Sequence, residues 1–182
     1  MFFHNLRGYD SHLILSEFNN QDCQISVTAN NMQKFMSFSI KFKELIEIKF
    51  IDSYQFIASS LDSLAKTLIV HPITKKFIPD LNLSQKQIYP YEYIDNFEKF
   101  DLKEFPDLKH FYNSLSEKNI TEKDYNEAKS LYNSKFKKFG EWHDYYLLWD
   151  VLLLSDVFEN FRSTSIQNYK IDPSHYVNHA IL

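Results

Sequence analysis

The chain has 182 residues, a net charge of −4, and a composition that is 44% hydrophobic and 17% aromatic. A chain of this size and composition can bury a core, at roughly 70% of its unfolded surface, which argues against a disordered chain, and its acidic balance lacks the basic footprint of a dedicated duplex-DNA binder. No run of about 18 apolar residues occurs and Met1-Phe2-Phe3 leads straight into polar residues, so neither a membrane span nor a secretory signal is expected and the protein reads as intracellular. The single Cys23 permits no internal disulfide.

Strands come first. Phe2 to Asn5 reads as a short buried strand, and Ser11 to Phe18 as a short helix capped by Asp10 or Ser11. Ile25 to Ala29 and Phe35 to Phe42 alternate apolar and polar residues, with Phe35 out of phase, and Asn30-Asn31 suits a hairpin turn between them. Ile46 to Ile51 alternates Ile46, Ile48 and Phe50 on one face, Asp52-Ser53 reads as the turn that closes it, and a helix from about Ser60 to Ile69 follows. This order predicts an α/β fold, a mixed sheet flanked by helices.

From His71 to Pro106, four of the five prolines predict an extended connection with little regular structure. The remainder is helix-rich. Thr121 with Asp124 has capping-box spacing before a helix to about Phe136. In the last helix Leu147, Val151, Leu154, Phe158 and Phe161 recur at intervals of four, three, four and three, a stripe expected to face a core.

That helix holds Tyr146 and Asp150 four residues apart and so on one face, with Asp150 beside the apolar stripe. A carboxylate at the margin of a core needs a neutralising cation, base or hydrogen bond; an exposed flank position or a lysine partner satisfies the same spacing. Near the other end, Asn5 closes an apolar strand and Tyr9-Asp10 follow an Arg7-Gly8 turn, placing an amide, a ring and a carboxylate at one strand terminus. Strand ends are where open sheets carry their sites, although Asn5 and Asp10 also suit plain turn and cap roles.

Together the two stretches, HNLRGYDSHLIL and YYLLWDVLLLSDVFENFR, resemble the second and third exonuclease motifs of the protein-primed family B DNA polymerases of viruses, organelles and mobile elements. The resemblance implies an RNase H-like 3′-to-5′ exonuclease domain over 1–165, with 166–182 as the start of the linker into a polymerase palm. It gives Asp10 and Asp150 the role of metal ligands, Asn5 and Tyr9 contacts to a single-stranded 3′ terminus, and Tyr146 orientation of the attacking water and scissile phosphate. Ser60-Leu61 resembles the family's Ser/Thr-Leu-x2-hydrophobic element, which grips single-stranded DNA, and Lys86-Gln87-Ile88-Tyr89 its Lys-x2-hydrophobic element, with Tyr91 a further aromatic. Helix capping and an ordinary surface lysine are the plain readings of Ser60 and Lys86.

The implied chemistry is phosphodiester hydrolysis with two Mg²⁺ or Mn²⁺ ions about 3.5–4 Å apart, which take oxygen ligands, while aromatic rings stack on frayed bases. The family's first motif, Asp-x-Glu, occurs nowhere in the chain, and neither do the palm signatures. The expectation is therefore an exonuclease domain incomplete at its N-terminus, part of a DNA-directed DNA polymerase acting in replication with a terminal-protein primer and DNA as partners and no membrane. By itself the chain is expected to be largely inactive. The alternative is a non-catalytic single-stranded nucleic-acid-binding remnant of a mobile element.

Overall fold

A computed structural model describes residues 1–6, 10–18, 23–31, 34–43, 45–79, 87–114 and 117–176, with the backbone alone for 29–31 and 34–36. The chain divides into two compact units, one of Met1–Ile69 with Leu154–Leu182 and one of Val70–Leu153.

The first unit is built on a four-stranded mixed sheet in the order β1-β4-β3-β2, formed by β1 (Phe2–Phe3), β2 (Cys23–Asn31), β3 (Lys34–Phe42) and β4 (Ile46–Asp52). β1 runs parallel to β4, with Phe2 opposite Ile51 and Phe3 opposite Asp52, and the other pairings are antiparallel. Alternation along β3 buries Phe38 and Ile40 under helix α1 (Asp10–Phe18), whose Ile14, Leu15 and Phe18 pack on the same cluster as Leu6 and Phe50. Phe38 and Phe50 stack with ring centroids 4.5 Å apart. This is the mixed α/β arrangement the strand order predicts.

One local expectation is corrected and one irregularity explained. Asn30 and Asn31 belong to β2 rather than to a turn, because β2 continues to Asn31 and β3 begins at Lys34. The pairing passes from Thr28–Ser37 to Ala29–Phe35, leaving Met36 as an extra residue in β3. Such a bulge shifts the two-residue period by one, and that is why Phe35 stands out of phase.

Helix α2 (Leu61–Thr67) is shorter than the spacing suggests, ending where Leu68 turns extended. The proline-rich stretch contains more structure than expected: helix α3 (Pro72–Phe77) and two 3₁₀ turns, at Tyr91–Tyr93 and Phe97–Asp101, with a third just after it at Leu108–Phe111. Pro72 occupies the first turn of α3, where a missing N–H costs nothing.

In the second unit the core is aromatic. Phe105 sits among Phe111, Tyr125, Tyr132 and Trp142, with ring centroids 5.1 to 5.8 Å away. The tyrosines keep their hydroxyls satisfied: Tyr125 donates to the Pro106 carbonyl at 3.1 Å and Tyr132 to that of Lys103 at 3.0 Å. Helix α4 (Glu122–Lys135) begins as predicted at Thr121, whose Oγ1 accepts the Asp124 N–H.

The long α5 (Phe139–Tyr169) turns a different face inward from the one its aliphatic stripe suggested. Leu147 and Val151 are 48% and 61% exposed, whereas Trp142, Tyr146, Trp149, Leu153 and Val157 are buried. The two tryptophans and Tyr146 present more apolar area than the aliphatics beside them, and the aromatic core takes the larger area. Only the later part of the stripe lies inward, with Phe158 buried and Leu154 and Phe161 half-buried.

After α5 the chain is pinned by Arg162, whose Nε and Nη2 donate to Asp172 at 2.7 to 3.0 Å. The guanidinium hydrogen bonds hold the Asp172 carboxyl well below the usual carboxylate range, and the Ser174 N–H adds to the effect.

Two predictions follow the two kinds of packing. Phe38→Ala, which empties the middle of the first core, is expected to lower unfolding free energy by about 3–5 kcal/mol in urea titration. Asp172 has a lowered folded pKa, so its contribution is complete above the unfolded value of about 3.9 and is lost as pH falls through the folded value. The thermal midpoint of the native chain should therefore fall more steeply than that of Asp172→Asn as pH drops below about 4; parallel curves would remove the ion pair from the stability of this region.

Candidate functional site

The first unit carries one group of expected site residues at the C-terminal ends of the parallel strands β1 and β4. Asn5 is exposed and adopts a left-handed φ of 66°, a conformation asparagine tolerates better than most residues. Its N–H donates to Oδ1 of Asp52 at 2.8 Å. Asp52 is fully buried, and the same oxygen accepts the Tyr54 N–H at 3.0 Å, capping the 3₁₀ turn of Ser53–Gln55. The turn role assigned to Asp52 thus understated it: the carboxylate joins the end of β1 to the end of β4.

Asp10 opens α1 and is exposed, with the partial positive charge of the helix N-terminus beside it. The adjacent Ser11 is buried and its N–H bonds to the Leu6 carbonyl at 3.2 Å, which fixes where the helix starts. Tyr9 lies outside the described residues, as do Arg7 and Gly8. Ser60 caps α2: its Oγ accepts the Ser63 N–H at 3.2 Å and donates to Ser63 Oγ at 2.9 Å, so the plain cap reading of this serine holds. Leu61, the first helical residue, is half-buried.

The second unit carries the other group on α5. Tyr146 is buried, with Asp150 one turn further on. The Tyr91 and Tyr146 hydroxyls are hydrogen-bonded to each other, and their rings meet edge to face, with centroids 6.1 Å apart. Burial, the Tyr91 hydrogen bond and the Asp150 charge, in that order, push the Tyr146 hydroxyl far above its ordinary range. Tyr146 is therefore a neutral phenol at any working pH, able to orient a polar group but not to act as a phenolate base.

Two participants escaped the sequence reading. Tyr89, which had been assigned only the hydrophobic position of a weak element, stacks on Tyr146 at 4.6 Å and reaches His143 Nδ1 with its hydroxyl at 2.7 Å. His143 lies three residues before Tyr146 on the same helical face, a spacing that could have drawn attention to it, and its ring packs on Phe100 at 4.6 Å. Burial followed by the charge of Tyr91 raises the Tyr89 hydroxyl to about 12. Lys86 lies outside the described residues.

A family profile described as DNA polymerase type B, organellar and viral, matches residues 1–177. The chain belongs to that family. No curated protein and no solved structure matches it. The family is one of DNA polymerases, which bind DNA and use divalent metal ions. Among the described residues of this polymerase chain, no group of three or more His, Cys, Asp or Glu side chains gathers as a metal cage. A two-ion site needs more oxygen donors than Asp10 and Asp150. Among the described residues, no helix is long and apolar enough to cross a membrane.

Alkaline titration followed through phenolate absorbance tests the tyrosine cluster. A midpoint near 12 is expected to disappear in Tyr89→Phe and to move down in Tyr91→Phe, which removes a neighbouring charge. An unchanged titration in both variants would dissolve the cluster.

Proposed function

We propose that this chain is the 3′-to-5′ exonuclease region of a protein-primed type B DNA polymerase, an RNase H-like domain that holds the single-stranded 3′ end of DNA during replication. The observation that carries the reading is the Tyr91–Tyr146 hydroxyl pair one turn before Asp150, within a chain of a DNA polymerase family. In this reading Asp10 and Asp150 are two of the ligands to Mg²⁺ or Mn²⁺, which supply the hydroxide and neutralise the leaving oxygen when bound. Tyr146, held neutral, orients the water and the scissile phosphate through its hydroxyl. Asn5, Tyr9, Ser60, Leu61, Lys86 and Tyr91 line the path of the strand, where rings stack on bases at about 1–3 kcal/mol each. A terminal protein supplies the priming hydroxyl in the parent polymerase.

The shortage of carboxylates favours a second reading for the chain by itself, a single-stranded nucleic-acid-binding remnant of a mobile element that grips DNA without cutting it. The full ligand set includes an Asp-x-Glu pair, and no such pair occurs in these 182 residues. By this reasoning the isolated chain binds single-stranded DNA but hydrolyses it little or not at all.

Paramagnetic Mn²⁺ tests the shared metal role directly. Added to isotopically labelled protein, it is expected to broaden the amide signals around Asp10 and Asp150 together, and Asp10→Ala or Asp150→Ala should restore both. Broadening at one aspartate alone removes the proposed shared site, and broadening at neither leaves the chain with the non-catalytic grip of the second reading. Release of mononucleotides from a labelled oligonucleotide with Mn²⁺, abolished by Asp150→Ala, would overturn the remnant reading.

A further inference from the structure

His4 follows β1 and uses both ring nitrogens. Nδ1 lies 3.0 Å from Ser53 Oγ, and Nε2 lies 2.8 Å from the carbonyl oxygen of Ser59. A carbonyl oxygen only accepts, so Nε2 carries the proton in that contact. Ser53 Oγ also lies 2.8 Å from the Phe3 carbonyl, so its single hydrogen serves either that carbonyl or Nδ1, and the imidazole lies against the Tyr54 ring at 5.4 Å. One part-buried side chain thus fastens the end of β1, the turn after β4 and the residue that precedes the Ser60 cap of α2. Asn5 is the next residue after His4, and Ser60 the next after Ser59.

The bonds have different jobs. The contact through Nδ1, like the Asn5 N–H on Asp52, ties β1 to β4, whose backbones already pair. The contact through Nε2 is the one that reaches α2. The Ser60 hydroxyl is committed to the first turn of its own helix, so it holds the helix together and not the helix to the strand.

We propose that His4 is a positioning residue that sets the distance between Asn5 and Ser60-Leu61 through its Nε2 bond to Ser59. The inference rests on the preceding reading, in which these residues grip one single-stranded 3′ terminus. A grip on two elements works only if their spacing is held against the motion of a seven-residue helix.

Two amide substitutions separate the bonds. In His4→Gln the amide nitrogen reaches the place of Nε2 and can donate to Ser59; in His4→Asn it reaches only the place of Nδ1 and Ser53. For the full chain and a fluorescein-labelled oligothymidylate, anisotropy should give a Kd within about threefold of the native value for His4→Gln and about tenfold weaker for His4→Asn. Hydrogen exchange reads the same coupling without DNA: the amides of Ser63 and Leu64 should lose about tenfold protection in His4→Asn and keep it in His4→Gln. Equal protection and equal Kd in the two variants overturn the positioning role while leaving the DNA grip intact. Failure of the native chain to bind the oligonucleotide overturns the grip, and the exchange pattern then still decides whether His4 holds α2. Should His4→Asn fail to fold, His4→Ser, which reaches neither partner, takes its place: lost protection there with retained protection in His4→Gln supports the role, and equal protection in the two overturns it.

Discussion

A carboxylate with no exposure at the end of β4 organises the first unit. Asp52 Oδ1 takes the N–H groups of Asn5 and Tyr54, two donors that the short β1 and the following turn would otherwise leave unsatisfied. Buried polar groups are costly when unpaired and stabilising when fully paired. The two-residue β1 gains from this clasp a fixed exit, and the exit sets the left-handed Asn5, the turn through Leu6 and the start of α1 at Asp10. His4 and Ser53 repeat the device on the adjacent side. The strand end is thus held by side-chain bonds more than by its ladder.

The second unit solves a related problem with rings. Tyr89, Tyr91 and Tyr146 contact one another, and hydroxyl bonds run from Tyr91 to Tyr146 and from Tyr89 to His143. Burial raises the Tyr89 and Tyr146 hydroxyls and keeps them protonated, so Tyr146 stands as a neutral, oriented phenol one turn before Asp150. In the proposed site a neutral donor has a clear merit, since it would meet an anionic phosphate without the repulsion a phenolate would bring.

Much of the secondary structure was legible from pattern. The two-residue alternation of Phe38 and Ile40, the serine before α2 and the threonine before α4 are local signals, and each produced the expected element. The failures share one cause. Met36 as an inserted residue, Asn31 as strand and not turn, and the inward face of α5 all depend on what lies across from the residue. On α5 the aliphatic repeat was real, but Trp142 fills an aromatic cluster and Trp149 is buried against Tyr145, while Leu147 and Val151 stay exposed. Periodicity identifies a helix; it does not choose among neighbouring faces of similar hydrophobicity.

The sequence by itself determined the family and most of the elements, because these reside in residue types and short spacings, and it nominated the two aspartates and the tyrosine that the proposed chemistry uses. Only the tertiary structure decided that Asp52 is a buried clasp, that His4 spans to Ser59, and that Tyr89 and Tyr91 both meet Tyr146. Their partners lie 47 to 57 residues away along the chain. No local pattern records such a pairing, since the hydrogen bond exists only once folding has brought donor and acceptor together and excluded the water that would otherwise serve each.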